Sequence, residues 1–191
     1  MQSADFNNMR RAMVDSQLRT SGVTDAWVLA AMGAMPREDF VPDALREVAY
    51  MDRAFALPGG SVLNPPVATA LMLQAADIVP TDNVLLVGTE QGLVHSLLSA
   101  RAGRVTVAAN ADCLSAGTFS VIFVDGAAEE LPEGLINAAQ EGARIVTGLA
   151  ERGVTSLAQG IVRGGKVALR RFADSEIAPL PQFARKPEFV F

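Results

Sequence analysis

The stretch VLLVGTEQGLVHSLL, Val84 to Leu98, concentrates residue types that could hold a ligand. An apolar run, then Gly88, Thr89, Glu90, Gln91 and Gly92, then apolar residues at helical spacing, is the strand–turn–helix layout of a nucleotide-cofactor loop. Glycines in such a turn let the backbone approach a ligand, whereas Glu90 between them adds a side chain and a negative charge. Asp125 follows the apolar run VIFV. An acid at the carboxyl end of a central strand stands where open α/β sheets bind ligands, and it equally suits a turn or a helix cap. Asn64, ahead of Pro65 and Pro66, reads first as a cap, because proline tolerates the first helical turn. His95, one turn into the helix after the loop, and Cys113 read as packed or surface residues.

These residues need elements to position them. Apolar spacing predicts helices over Asp5–Thr20, over a second segment capped by Thr24 and carrying Trp27, Val28, Ala31, Met32 and Met35, and over Phe40–Tyr50. ALPGGSVL reads as a loop, and a further helix runs from Asn64 to about Asp77. The pattern then changes to short continuous apolar runs at Val84–Val87, Val105–Ala109, Val121–Val124 and Arg144–Thr147. Between them lie helical segments at Leu93–Ala100 and Pro132–Gln140. Such runs indicate a parallel sheet covered on both faces. Gly153–Val162, a Gly-Gly turn and Lys166–Phe172 predict an antiparallel edge. The fold class is α/β.

One interval is short. Only nine residues, NADCLSAGT, separate Ala109 from the strand near Phe119, and a parallel crossover with a helix needs a dozen or more. Nine extended residues reach about 30 Å, enough to return along the sheet without another helix and strand. One βα unit is expected to be missing. The strand at Val105–Ala109 then becomes an edge, and its open ladder invites self-association into a homodimer.

The 191 residues suffice for one domain, and 50% hydrophobic against 19% charged content is a folded profile. A net charge of −5 leaves no basic footprint for nucleic acid. No apolar run is long enough to span a membrane, and the start MQSADFNNMRR lacks a signal-peptide core. One cysteine excludes an internal disulfide framework. A cytoplasmic protein is expected.

Several segments carry a resemblance. MVDSQLRTSGVTD, VLAAMGAMPREDFVP and AYMD resemble the N-terminal region of protein-L-isoaspartate O-methyltransferases. FSVIFVDGAAEELPEGLINAAQEGARIV resembles their fourth-strand segment, and PLPQFARKPEFVF is similar to the ending of a bacterial branch. The resemblance implies a single Rossmann-like methyltransferase domain, with a helical cap and substrate loop in residues 1–80 and the sheet in 81–191. It implies methyl transfer from S-adenosylmethionine to the carboxylate of isoaspartyl residues in damaged proteins. That displacement needs alignment more than a general base, so the lack of a Ser-His-Asp set or metal-ligand spacing says little against it.

On this resemblance Gly88, Thr89, Glu90 and Gly92 occupy the cofactor loop, Glu90 replacing its central glycine. Glu90 either opposes the methionine carboxylate or pairs with the ammonium group. Leu86 stands where the family often has an acid. Asn110 falls on the family's ribose-binding acid, where a neutral hydrogen bond contributes about 0.5–1.5 kcal/mol against roughly 1.5–3 for a charged one, or about tenfold in affinity. Asp112 corresponds either to the residue two beyond that acid or to an adenine-side aspartate. Asn64 aligns with a serine facing the isoaspartyl group, where its amide could donate to a carboxylate. Asp125 remains a candidate for cofactor or substrate contact. Two readings follow: a protein carboxyl methyltransferase, or a non-catalytic descendant that keeps the fold as a binding or structural module.

Overall fold

The computed structural model describes residues 5–109 and 117–185. Helix α1 (Phe6–Met13) starts at Asp5, whose carboxylate accepts the Asn8 amide, and continues as a π-helical turn over Val14–Leu18. Helix α2 (Ala26–Ala34) is capped by Asp25, which accepts from the Val28 amide at 2.9 Å. The expected cap, Thr24, lies one residue too early, and its backbone amide is held instead by Gln74 Oε1. In place of one helix over Phe40–Tyr50 there are two 3-10 turns, Arg37–Phe40 and Asp43–Val48. Pro42 lies between them and cannot donate to a continuous ladder.

The loop ALPGGSVL contains a small antiparallel pair, β1 (Phe55–Ala56) and β2 (Val62–Leu63). Helix α3 (Pro66–Ala76) follows, ending at Asp77 in a left-handed conformation. The main sheet comprises β3 (Asn83–Val87), β4 (Arg104–Ala108), β5 (Phe119–Ala128), β6 (Ala139–Glu151), β7 (Val154–Arg163), β8 (Lys166–Val167) and β9 (Arg170–Asp174). Helix α4 (Leu93–Ser99) follows β3, and α5 (Glu133–Ala138) follows β5. The strand order is β4-β3-β5-β6-β7-β8, with β9 also paired to β7. Strands β4, β3, β5 and β6 are parallel; β7 and its partners are antiparallel. This is the expected Rossmann-like arrangement. Among the described residues no strand lies beyond β4, in keeping with a missing βα unit.

Alternation along each strand splits the core in two. Val84, Leu86, Val121, Phe123 and Val146 face α3 and α4, where they meet Met72, Leu73 and Leu97. Leu85, Val87, Ile122, Val124 and Ile145 face the other way, toward Leu135, Val162 and Phe183. Because both faces are covered, the strands read as unbroken apolar runs.

Two polar devices fix the sheet's ends. At the amino ends of the strands, buried Asp82 accepts from the Val79 amide, the Ser120 hydroxyl and Arg144 at 2.6–2.8 Å. Burial works against its charge, but these three bonds outweigh it and hold the Asp82 carboxyl below its usual range. At the carboxyl ends, residues 177–183 return across the sheet as a strap. Ala127 N donates to Ala178 O and Leu180 N donates to Ala127 O, at 2.7 and 2.8 Å. Gly126 is required beneath it: a Cβ there would stand 2.5 Å from Leu180 Cγ.

Candidate functional site: two clefts at the carboxyl ends of the strands

Two clefts meet beyond the end of β3, beside Asp125 on the part of β5 that runs on past it. The smaller, about 350 Å³, lies between Val87–Thr89, Ala109, the hairpin tip Gly59–Val62 and strap residues Ala178–Gln182. The larger, about 450 Å³, lies between Thr89–Val94 and the segments Asp39–Pro42 and Leu57–Leu63. Ser61, Val62, Thr89 and Asp125 border both. Volumes of this size suit small-molecule sites.

The loop after β3 is a tight turn in which the Gly92 amide donates to Thr89 O at 3.2 Å. Gly88 keeps the floor of the smaller cleft open, since a Cβ there would lie 3.3 Å from Asp125 Cβ and 3.2 Å from Leu86 Cδ1. Although Glu90 replaces the loop's central glycine, its own backbone does not adopt the left-handed conformation that favours glycine. The left-handed residue is its neighbour Gln91, at φ 59°. Glu90 is exposed and borders the larger cleft, away from the Gly88 floor. A left-handed glutamine carries a steric cost of roughly 1–2 kcal/mol, part of which glycine's entropy would offset. Gln91→Gly should therefore raise stability by about 0.5–1 kcal/mol. A urea midpoint that falls would show compensating contacts by the glutamine side chain.

Asn64 does not cap α3. Its Nδ2 donates to Asp125 Oδ1 at 2.8 Å and to the Asp125 carbonyl at 3.3 Å, while its Oδ1 accepts from the Ala178 amide at 2.9 Å. Pro65 and Pro66 lead the helix without a side-chain cap, because they bring no amide hydrogens that need one. With both amide hydrogens on Asp125 and only 2% exposure, Asn64 acts on the site through Asp125.

Behind Asn64 stands Arg37, 1% exposed. Its Nη2 donates to Asn64 O at 2.5 Å and its Nε to Ala49 O at 2.7 Å. Among the described residues Nη1 has no partner. Burial lowers the Arg37 guanidinium to about 10, opposed by the charges of Asp125, Asp52 and Tyr50, so it stays cationic at neutral pH. The adjacent Glu38 ties the same turn to α1. Arg10 Nη2 donates to Glu38 at 2.9 Å, Arg10 Nε to the Tyr50 hydroxyl at 2.8 Å, and that hydroxyl donates to Glu38. Burial first, then the bond to Glu38, raises the Tyr50 hydroxyl to about 12.

Asp125 is the titratable group common to both clefts. Burial pushes its carboxyl up to about 6, while the bond from Asn64 and the charge of Arg37 pull the other way. The residue keeps partial exposure along the cleft walls, so solvent there tempers the desolvation.

Of the residues expected from sequence, Gly88, Thr89, Glu90, Gly92, Asn64 and Asp125 come together here. Asn110 and Asp112 lie outside the described residues, as does Cys113, although Ala109 beside them borders the smaller cleft. His95 is half-buried on α4. Trp27 packs partly against the core under the Arg101 guanidinium, 5.4 Å from the ring centre. Arg37 and the strap were not foreseen. Their partners are 27 and 114 residues away in the chain, and no local spacing encodes such contacts.

A family profile for protein-L-isoaspartate(D-aspartate) O-methyltransferase matches residues 8–115. A protein-L-isoaspartate O-methyltransferase of Koribacter versatilis is 30% identical over 199 residues, covering 90% of each chain. That of Methanoculleus marisnigri is 29% identical, covering 87% of this chain and 89% of the relative. The match to the Roseiflexus castenholzii enzyme is 36% identical but spans about half of that protein, 54%. Among solved structures, a Plasmodium falciparum protein assigned as a protein-L-isoaspartate O-methyltransferase, in complex with S-adenosyl-L-homocysteine, superposes with a TM-score of 0.71. It is 16% identical and the alignment covers 91% of this chain and 98% of that one, a likeness of fold.

Proposed function

Since the chain belongs to the protein-L-isoaspartate(D-aspartate) O-methyltransferase family, we propose that it methylates the carboxylate of isoaspartyl residues in damaged proteins, using S-adenosylmethionine. The observation that carries this reading is the pair of clefts sharing Ser61, Val62, Thr89 and Asp125. A group-transfer enzyme needs two ligands held separately with their reactive ends at one opening, and this arrangement offers that geometry.

The smaller cleft suits the cofactor. Gly88 leaves its floor free of a side chain, and the cleft lies at the carboxyl end of a central parallel strand. We assign Gly88 and Thr89 to the methionine end, with Gly92 holding the turn through its bond to Thr89 O, and Asn110 and Asp112, which follow Ala109, to the ribose side. When bound, the sulfonium supplies an electrophilic methyl group. The larger cleft then receives the acceptor peptide between the Asp39–Pro42 segment and Glu90. Arg37 and Asn64 hold the wall between them, and the strap limits water on the cofactor side. We further propose a cytoplasmic location, with isoaspartyl proteins or peptides as partners.

Calorimetric titration with S-adenosylhomocysteine, paired with methyl transfer to an isoaspartyl peptide and to its aspartyl counterpart, tests the reading. The expected result is saturable binding and transfer to the isoaspartyl peptide alone. Absence of heat at millimolar ligand would overturn it, and binding without transfer would favour a non-catalytic module. We also propose pairing of two copies through the β4 edge. Val105 and Val107 are half-buried against the first core, so the pairing would use the backbone ladder more than apolar side chains. A monomer by light scattering at high concentration counts against it.

A further inference from the structure

We infer that Asp125 is a specificity-determining residue that admits the acceptor carboxylate only when it carries its own proton, making acceptor binding a proton-coupled step. This rests on the proposed methyl transfer and concerns the same site.

The geometry is the starting point. Asp125 borders both clefts, so an acceptor oxygen approaching a cofactor methyl group must pass beside its carboxyl. Oδ1 is held by Asn64 Nδ2 at 2.8 Å. Among the described residues nothing donates to Oδ2, which leaves that oxygen to meet a ligand. Two carboxylates at hydrogen-bond distance in a half-buried wall cannot both be ionised, and one must hold a proton. If Asp125 holds it, Asp125 donates a charge-assisted hydrogen bond to the acceptor and the acceptor stays nucleophilic. If the acceptor holds it, the nucleophile is lost.

The charges around Asp125 favour the first arrangement. From the turn before α3 comes neutral Asn64; from the Arg37–Phe40 turn come the Arg37 cation, behind Asn64, and Asp39 on the rim. The loop after β3 contributes Glu90, also on the rim. The hairpin tip 57–63 and the strap 178–182 bring no titratable side chain. Arg37 is the cation of this group; its Nε and Nη2 are bonded to the carbonyls of Ala49 and Asn64, and at 1% exposure it lines neither cleft, so its unpartnered Nη1 does not reach an acceptor there. Beside the Ser61 and Thr89 hydroxyls, which also border both clefts, Asp125 with its proton on is the acidic donor this wall offers to an acceptor. Burial already moves the Asp125 carboxyl to about 6, within reach of the pH at which a peptide carboxylate is ionised. During transfer the acceptor oxygen gains the methyl group, the electron pair of the broken carbon–sulfur bond remains on sulfur, and Asp125 keeps its proton.

Two measurements on the full chain test this. The first is the pH profile of kcat/KM for an isoaspartyl hexapeptide, in the wild type and in Asp125→Asn. The wild type should rise as the peptide carboxylate ionises, peak near 5–6, and fall roughly tenfold per pH unit above the Asp125 transition. Asp125→Asn keeps an acceptor for Asn64 and a permanent donor for the peptide. It should be flat from pH 6 to 8, and faster than wild type at pH 8 by on the order of tenfold or more. The second is calorimetry of the same peptide at pH 7.5 in buffers of different ionisation enthalpy. Binding should take up about one proton in the wild type and none in Asp125→Asn. A wild-type rate that is flat or rising between pH 6 and 8, or binding without proton uptake, would overturn the inference while leaving methyl transfer intact. Absence of transfer to the peptide at every pH overturns the proposed function and the inference with it.

Discussion

Replacing Arg37 by alanine should lower stability by about 3–5 kcal/mol, with a larger loss at pH 8 than at pH 5. The guanidinium is 1% exposed and donates to two backbone carbonyls, at 2.5 and 2.7 Å. Each charged hydrogen bond contributes roughly 1.5–3 kcal/mol, and its loss strands a buried carbonyl. Lysine should restore only part of this, because a single ammonium cannot reproduce the fork that spans Ala49 O and Asn64 O. The pH dependence follows from Asp125. Its folded carboxyl is raised to about 6 by burial, with Arg37 among the groups opposing the rise. A carboxyl raised in the folded state contributes most at low pH, and that contribution declines as pH climbs from the unfolded value to the folded one. Without Arg37 the folded value rises further, so the decline continues to higher pH and the variant suffers most there. Urea denaturation at pH 5 and pH 8 checks both parts. An equal loss at the two pH values would mean that Arg37 and Asp125 are not electrostatically coupled. In the proposed reaction the same change should carry the alkaline limb of kcat/KM to higher pH.

Truncating the chain after Glu176 should be at least as damaging. Ile177 and Phe183 are 1% and 3% exposed, and burying each such side chain is worth about 1.5–3 kcal/mol. The strap also supplies the Ala178 amide to Asn64, the Ala178 carbonyl to Ala127 and the Leu180 amide to Ala127. Less the conformational entropy that the freed segment regains, these make a loss of about 4–6 kcal/mol, a large share of the roughly 5–15 typical of a domain. The truncated chain should unfold at a much lower urea concentration and bind a hydrophobic dye through the exposed second core. Leu180→Ala is a gentler variant: it should keep the fold and widen the smaller cleft beside Gly126. Near-normal stability of the truncated chain would mean that the strap rests on the sheet without supporting it.

How far local sequence reaches is visible in individual residues. The runs Val84–Val87 and Val121–Val124 announced themselves as strands because both faces of the sheet are covered and no polar alternation was needed. The loop Gly88–Gly92 was legible for a related reason: strand, turn and helix are contiguous, so their chemistry is written within fifteen residues. Boundaries were less secure where adjacent residues compete for one role. Asp25 rather than Thr24 caps α2, and Ala139 and Gln140 belong to β6 rather than to α5.

The sequence by itself determined the fold class, the position of the glycine-bearing turn after β3 and the family, all of which rest on contiguous patterns. Only the tertiary structure decided that Asn64 serves Asp125 and Ala178 instead of capping a helix, and that Gln91 instead of Glu90 carries the left-handed turn. It also placed Arg37 behind the wall between the clefts and the strap along the smaller one. The physical reason is the same in each case. A hydrogen bond is satisfied by whichever partner the packed chain brings within about 3 Å, and for this site those partners arrive from segments far apart in the sequence.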